Sequence, residues 1–274
     1  MISGKSLREE FPSVIDRAYE ILQKRQLVAD IMSRDVVKIV PHASIAEAAR
    51  VMGANRIGSL IVLAAGAPHG IFTERDLLSR VLAAGKDPET VRVMEVMSTP
   101  LHSIKPAVTI KKAAQTMIAQ KGRLAVFDEG ALVGIVTASD LVKSLPENLE
   151  TAPSIDTIMT KRVMMVPSST TIEDAIQIMG EKRIGSVLVT RRRKPMGIFT
   201  ERDLLTTFIS RGKPLDITVG SAASSPLITI PTGTSVHQTA LTMTLRHIRR
   251  LPVVDKTKIV GIVTARDLVA AYAG

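Results

Sequence analysis

The nine residues GIFTERDLL at 70–78 recur letter for letter at 197–205. A chain that repeats itself this closely must build the same local structure twice, and that removes most folds from consideration. Degenerate copies follow each original, GIVTASDLV at 134–142 and GIVTARDLV at 261–269. Their leading glycines, Gly70, Gly134, Gly197 and Gly261, are spaced by 64, 63 and 64 residues. Odd copies read TERDLL; even copies read TA, then Ser or Arg, then DLV. The order is ABAB, the mark of a two-repeat module that was duplicated.

Each copy is preceded by apolar residues at helical spacing, the pattern of one buried stripe. They are Ile45, Ala48, Ala49, Met52; Ile110, Ala113, Ala114, Met117; Ile172, Ala175, Ile176, Met179; and Val236, Thr239, Ala240, Met243. A proline stands ahead of each helix (Pro41, Pro106, Pro167, Pro231), and Ser44 with Glu47 reads as a capping box. Short apolar strands come next at 59–63, 124–127, 186–190 and 251–254. The Gly-led strand then runs into a second helix, whose Leu77, Leu78, Val81 and Leu82 form a buried face and whose Gly85 reads as a C-cap. A unit of about 60 residues in the order strand, helix, strand, strand, helix is marginal alone, so two repeats make the sensible module. The polar stretch 144–154 with two prolines reads as the linker.

Composition narrows the chemistry. The chain has no cysteine, and its five histidines show no metal-binding spacing, so thiolate nucleophiles, disulfides and Cys-based zinc sites are excluded. No apolar run is long enough to cross a bilayer, and the N-terminus lacks the order of a signal peptide; the expectation is a soluble, cytoplasmic protein. A net charge of +10 favours anionic partners, while aromatic residues at 3% leave little for base stacking.

Thr-x-x-Asp at a strand-to-helix junction is in the first instance a capping box. All four copies nevertheless have Asp: Thr73 with Asp76, Thr137 with Asp140, Thr200 with Asp203, and Thr264 with Asp267. A glycine ahead of each strand admits close approach of another backbone or a ligand. A helix N-terminus offers N–H groups to an anion, and a short carboxylate beside it can accept both hydroxyls of a ribose. Capping and nucleotide binding are compatible on these residues.

The motif, the period and the element order together resemble the cystathionine β-synthase (CBS) domain, four copies of it as two tandem Bateman modules, over about residues 27–272. The resemblance implies a mixed α/β (α+β) fold with four strand-helix-strand-strand-helix repeats in two pseudo-twofold modules and a disc-like assembly. The divisions expected are a helical extension at 1–26, a first pair at 27–145 (repeats 27–85 and 90–145) and a second at 154–274 (repeats 154–212 and 216–274). Members bind adenosine nucleotides, AMP, ADP or ATP, and in some cases S-adenosylmethionine, without catalysis or metal. By that resemblance the four Thr/Asp pairs hold phosphate and ribose. Adenine would be lined by Val36, Val37, Ile57, Gly58 and Ser59, and by Val163, Met164, Ile184, Gly185 and Ser186. RHIRRLPVVD at 246–255 is similar to the phosphate-binding segment of the γ subunit of AMP-activated protein kinase, which carries a phosphate role to His247, Arg249 and Arg250, and with them Arg123. Arg56 and Arg183 stand one position further back, where the odd repeats have Gly-Ser in place of Arg-Arg. The clefts are therefore expected to differ in phosphate affinity.

Three readings compete. A sensor that passes nucleotide occupancy to a separate protein partner accounts for the repeats. A nucleic-acid-binding regulator would use the basic surface and RRRK at 191–194, although a solvated hairpin tip explains that run more simply. An enzyme finds no nucleophile–base pair in the sequence. The stretch 11–26 reads as an amphipathic helix that packs on a module or, as the lesser alternative, forms a homodimer.

Overall fold

The computed structural model describes residues 27–145 and 154–274; the predicted helix at 11–26 and most of the 144–154 linker lie outside them. Each repeat opens with a one-turn helix that the sequence reading did not anticipate. In the first repeat the elements are α1 (Val28–Ile31), β1 (Lys38–Ile39), α2 (Ile45–Asn55), β2 (Ser59–Ala64), β3 (Ala67–Thr73) and α3 (Glu74–Asp76), continued by wider i→i+5 turns over Leu77–Leu82. The second has α4 (Val93–Val96), β4 (Ser103–Ile104), α5 (Ile110–Gln120), β5 (Leu124–Asp128), β6 (Ala131–Val136) and α6 (Ala138–Lys143). The third has α7 (Ile155–Ile158), β7 (Met165–Pro167), α8 (Ile172–Glu181), β8 (Ser186–Arg191), β9 (Lys194–Thr200) and α9 (Glu201–Asp203), continued over Leu204–Phe208 and Ile209–Arg211. The fourth has α10 (Val219–Ala222), β10 (Ile230–Pro231), α11 (Val236–Leu245), β11 (Arg250–Asp255), β12 (Lys258–Thr264) and α12 (Ala265–Ala273).

Every repeat forms a three-stranded sheet in which the first pair is parallel and the second antiparallel. All sixteen residues of the predicted helix stripes are buried, Thr239 included; its hydroxyl donates to the Ser235 carbonyl at 2.8 Å, which makes burial tolerable. The Ser44 cap forms in one direction: its Oγ accepts from the Glu47 amide at 3.1 Å. Gly85 adopts φ +66°, and the Lys86 amide returns to the Val81 carbonyl at 3.0 Å, as a helix C-cap requires. RRRK is an exposed hairpin tip between β8 and β9.

Within a module the repeats exchange their leading segments. Ser33 bridges Ile135 of the second repeat and Ser98 bridges Ile71 of the first; Thr160 with Ile262 and Ser224 with Ile198 repeat the arrangement. This exchange explains the four motif glycines. A Cβ built on Gly70 would lie 2.8 Å from Met97 Sδ and 3.0 Å from the Ser98 carbonyl oxygen, and one on Gly197 would lie 2.7 Å from the Ser224 carbonyl oxygen. The close approach is made by the sister repeat's leading segment, through its backbone at Gly197, through methionine side chain and backbone together at Gly70 and Gly134, and through the Met159 side chain at Gly261.

The modules meet through helices. One core cluster joins the first and third repeats and a second joins the second and fourth, so neither module has a core of its own. The α2 helix packs on the turns after α9, and α5 packs on α12. Gly53 makes the first crossing close: a Cβ there would lie 2.6 Å from Ser210 Cβ. The related Gly180 faces Ala83. Gly53→Leu is therefore expected to destabilise the chain by about 1–3 kcal/mol, the usual range for overpacking, despite leucine's better helix propensity. Urea unfolding of the variant against the parent measures it; equal or greater stability would show that this crossing is loose.

Candidate functional site

The four strand-to-helix corners share one geometry. Asp76 Oδ2 accepts from the Thr73 amide at 3.0 Å and from its hydroxyl at 2.7 Å. Asp140, Asp203 and Asp267 do the same with Thr137, Thr200 and Thr264, their hydroxyl bonds each 2.7 Å. The capping box is thus formed in every copy, and each threonine hydroxyl proton is committed to its aspartate. The second carboxylate oxygen is not used by the box. In Asp76 that oxygen lies 3.3 Å from Arg80 Nη1 and 3.4 Å from Ser98 Oγ.

A cavity of about 220 Å³ lies between the third and fourth repeats. The third contributes Ile198, Thr200, Arg202 and Asp203; the fourth contributes Ile228 and His247 through Arg250, with Pro252. The Thr/Asp corner, the basic segment and an apolar wall come together here. None of the ten residues expected to line adenine borders this cavity. Val37, Ile57, Met164 and Ile184 pack on the first core cluster; Val36 and Val163 are half-buried just ahead of β1 and β7, and Ser59 and Ser186 are half-buried at the starts of β2 and β8. Ile228 and Ile248 occupy the equivalent places in the fourth repeat, because the exchange of leading segments turns the third repeat's corner toward the fourth. Arg56 and Arg183 are exposed; both take positive φ and terminate helices, as His247 does.

The remaining arginines converge where the four repeats meet. Glu74, 1% exposed, accepts from Arg249 Nη2 at 2.7 Å and from Arg202 Nε at 3.0 Å. Glu201 accepts from Arg250 Nη2 at 2.7 Å and has Arg75 Nε at 3.4 Å. Arg75 and Arg202 thus cross between modules, each to the other's glutamate. Gly58 and Gly185 give the cluster room: a Cβ on Gly58 would lie 3.0 Å from both Arg123 Nη2 and Glu74 Cδ. This is the structural reason for glycine at 58 and 185 in the odd repeats.

Comparison with known proteins follows the same division. The family model for the CBS domain matches residues 28–83, 93–147, 155–210 and 219–274. The chain belongs to the CBS-domain family. The CBS domain-containing protein YhcV of Bacillus subtilis is 38% identical over 122 residues, covering 44% of this chain and 86% of its own. The uncharacterised protein MJ1404 of Methanocaldococcus jannaschii is 27% identical over 268 residues, covering 90% of this chain and 62% of its own length. Among solved structures, MJ1225 of the same organism, which its own description relates to γ-AMPK, has TM-score 0.76 at 22% identity over 90% of this chain and all of that one. A protein of Pyrococcus horikoshii has TM-score 0.63 at 22% identity over the same share. Four CBS repeats in a mixed α/β chain are thereby shown. No helix among the described residues is long and apolar enough to cross a membrane.

Sequence reasoning missed Glu74, Arg75, Glu201 and Arg202. The signal was present: the odd CBS copies carry Glu-Arg where the even copies carry Ala138-Ser139 and Ala265-Arg266, a charge difference that capping does not require. Burial alone would raise the Glu74 carboxyl; Arg249, Arg202 and Arg123 more than offset it and hold its pKa at about 2 against an ordinary 4.5. Burial raises Asp76 and Asp203 despite their threonine bonds.

These directions have a consequence for acid stability. A carboxylate with a depressed pKa contributes stability above its unfolded value and loses it as pH falls toward the folded value, so Glu74 acts between pH 4.5 and about 2, with a magnitude of about 3 kcal/mol. Asp76 and Asp203, raised, oppose this loss in the acid range. Parent and Glu74→Gln unfolding free energies should therefore converge by about 3 kcal/mol as pH is lowered from 4.5 to 2. Urea titrations at several pH values test it, and parallel profiles would refute the ion pairing.

Proposed function

We propose that the protein is a non-catalytic sensor that binds an adenosine nucleotide in the cleft between its third and fourth CBS repeats and passes occupancy to a partner protein. One observation carries the reading: a single cavity brings Thr200 and Asp203 together with His247, Arg249 and Arg250, beside the apolar Ile198, Ile228 and Ile248. An apolar wall suits a base, a carboxylate with an oxygen outside the capping box suits two ribose hydroxyls, and guanidinium groups suit phosphates.

In this reading Asp203 accepts from the ribose through the oxygen that the box does not use. Thr200 must release its hydroxyl from Asp203 before it can donate to phosphate. The cavity is smaller than the roughly 300–1,000 Å³ of common ligand sites, so the lining arginines shift on binding. Such a shift reaches the partner through the shared cores, since helices of one module pack on helices of the other. The effect on the partner is bounded by the ligand's difference in affinity for the two arrangements, typically about 1–3 kcal/mol.

Calorimetric titration with AMP, ADP, ATP, S-adenosylmethionine and a short RNA tests the proposal. An adenosine phosphate is expected to bind, and Asp203→Ala to weaken it about tenfold to a hundredfold, the range for hydrogen bonds to a charged group. The same change should cost the fold only about 1 kcal/mol of capping. Binding of RNA alone, or undiminished nucleotide affinity in Asp203→Ala, would reject the assignment.

A further inference from the structure

Two arginines that border the cavity between the third and fourth repeats, Arg202 and Arg249, donate to one buried carboxylate that does not border it. That carboxylate is Glu74, from the opposite module. A guanidinium presents a fixed fork of N–H donors, and carboxylate and phosphate oxygens are interchangeable acceptors for it. Each donor held by Glu74 is withheld from an anion in the cavity.

The duplicated half lacks the reciprocal device. Glu201 is met within its own module by Arg250 and across the modules by Arg75, and neither pairing repeats the Arg249 link. The residue of the second repeat that corresponds to Arg249 is Gly122, in KGRLAVFD against IRRLPVVD. A guanidinium shared between one module's cavity and the other module's glutamate therefore occurs through Arg249 alone among the residues of these two aligned segments.

We propose that Glu74 is an internal competitor for phosphate in the cleft of the third and fourth repeats, so that the first module sets how strongly the second module's site prefers phosphorylated ligands. Phosphate occupancy draws Arg249 away from Glu74 and loosens a contact between modules; Glu74 in turn weakens phosphate binding while leaving contacts to base and ribose alone. Glu74 acts as a positioning residue, through Arg249 and Arg202. This rests on the reading of the cavity as a phosphate-ligand site.

The test compares the full chain and its Glu74→Gln variant in titrations with ADP, inorganic pyrophosphate and adenosine at neutral pH. Glu74→Gln is expected to tighten ADP and pyrophosphate at least about fivefold, the lower end of measured couplings between sites, with adenosine within about twofold. A merely structural role would move all three ligands together. In an Arg249→Gln background the gain should shrink to about twofold or less. Unchanged or weakened phosphate binding in Glu74→Gln, or a gain that persists without Arg249, would overturn the proposal. Tightened pyrophosphate with no binding of ADP or adenosine to either protein would remove the adenosine assignment and leave the competition standing. Should Glu74→Gln not fold, Glu74→Asp withdraws the carboxylate by one methylene; it should raise phosphate affinity by a smaller factor, and equality with the parent would count against the idea.

Discussion

A carboxylate taken out of water is tolerated only when cations and hydrogen-bond donors replace the lost solvent. Glu74 meets that demand with arginines from each of the other three repeats: Arg249 and Arg202 bond to it, and Arg123 adds its charge. The demand dictates much else. It requires Gly58 and Gly185 where a side chain would collide, and it places Arg75 and Arg202 across the junction, each against the other module's glutamate. Removing one member leaves others buried without a partner, so the cluster behaves as a unit.

The second constraint is size. A repeat of this length buries too little apolar surface to stand alone, and the structure meets the shortfall twice. Leading segments are exchanged within a module, seated against the motif glycines, and helices of the two modules share cores. A ligand that alters one interface therefore acts on packing that both modules need. Close-packed interfaces of this kind move between discrete arrangements more readily than they deform continuously, which is what a sensor requires.

The Thr/Asp corners are capping boxes first, and the proposed ligation has to share their carboxylates. One carboxylate oxygen satisfies the first amide and the threonine hydroxyl, and the other lies outside the box, met in Asp76 by Ser98 and Arg80. Burial raises Asp76 and Asp203 despite these partners, so any group that displaced Ser98 or Ser224 would have to donate in its place.

The amino-acid sequence by itself determined the local structure. The fourfold period, the helix stripes from Ile45 to Met243, the caps and the Thr/Asp corners are legible because they depend on residues a few positions apart, whose spacing follows helix and strand geometry. The one-turn helices at Val28, Val93, Ile155 and Val219 escaped because four residues carry no period. Tertiary structure decided which repeats face one another, and with that the site: that Ile228 and Ile248 rather than Met164 and Ile184 border the cavity beside Asp203, that Arg56 and Arg183 end helices, and that Arg249 answers to Glu74. Residues 175 positions apart are joined there by the energetic cost of an unpaired buried charge, and no local pattern records such a pairing.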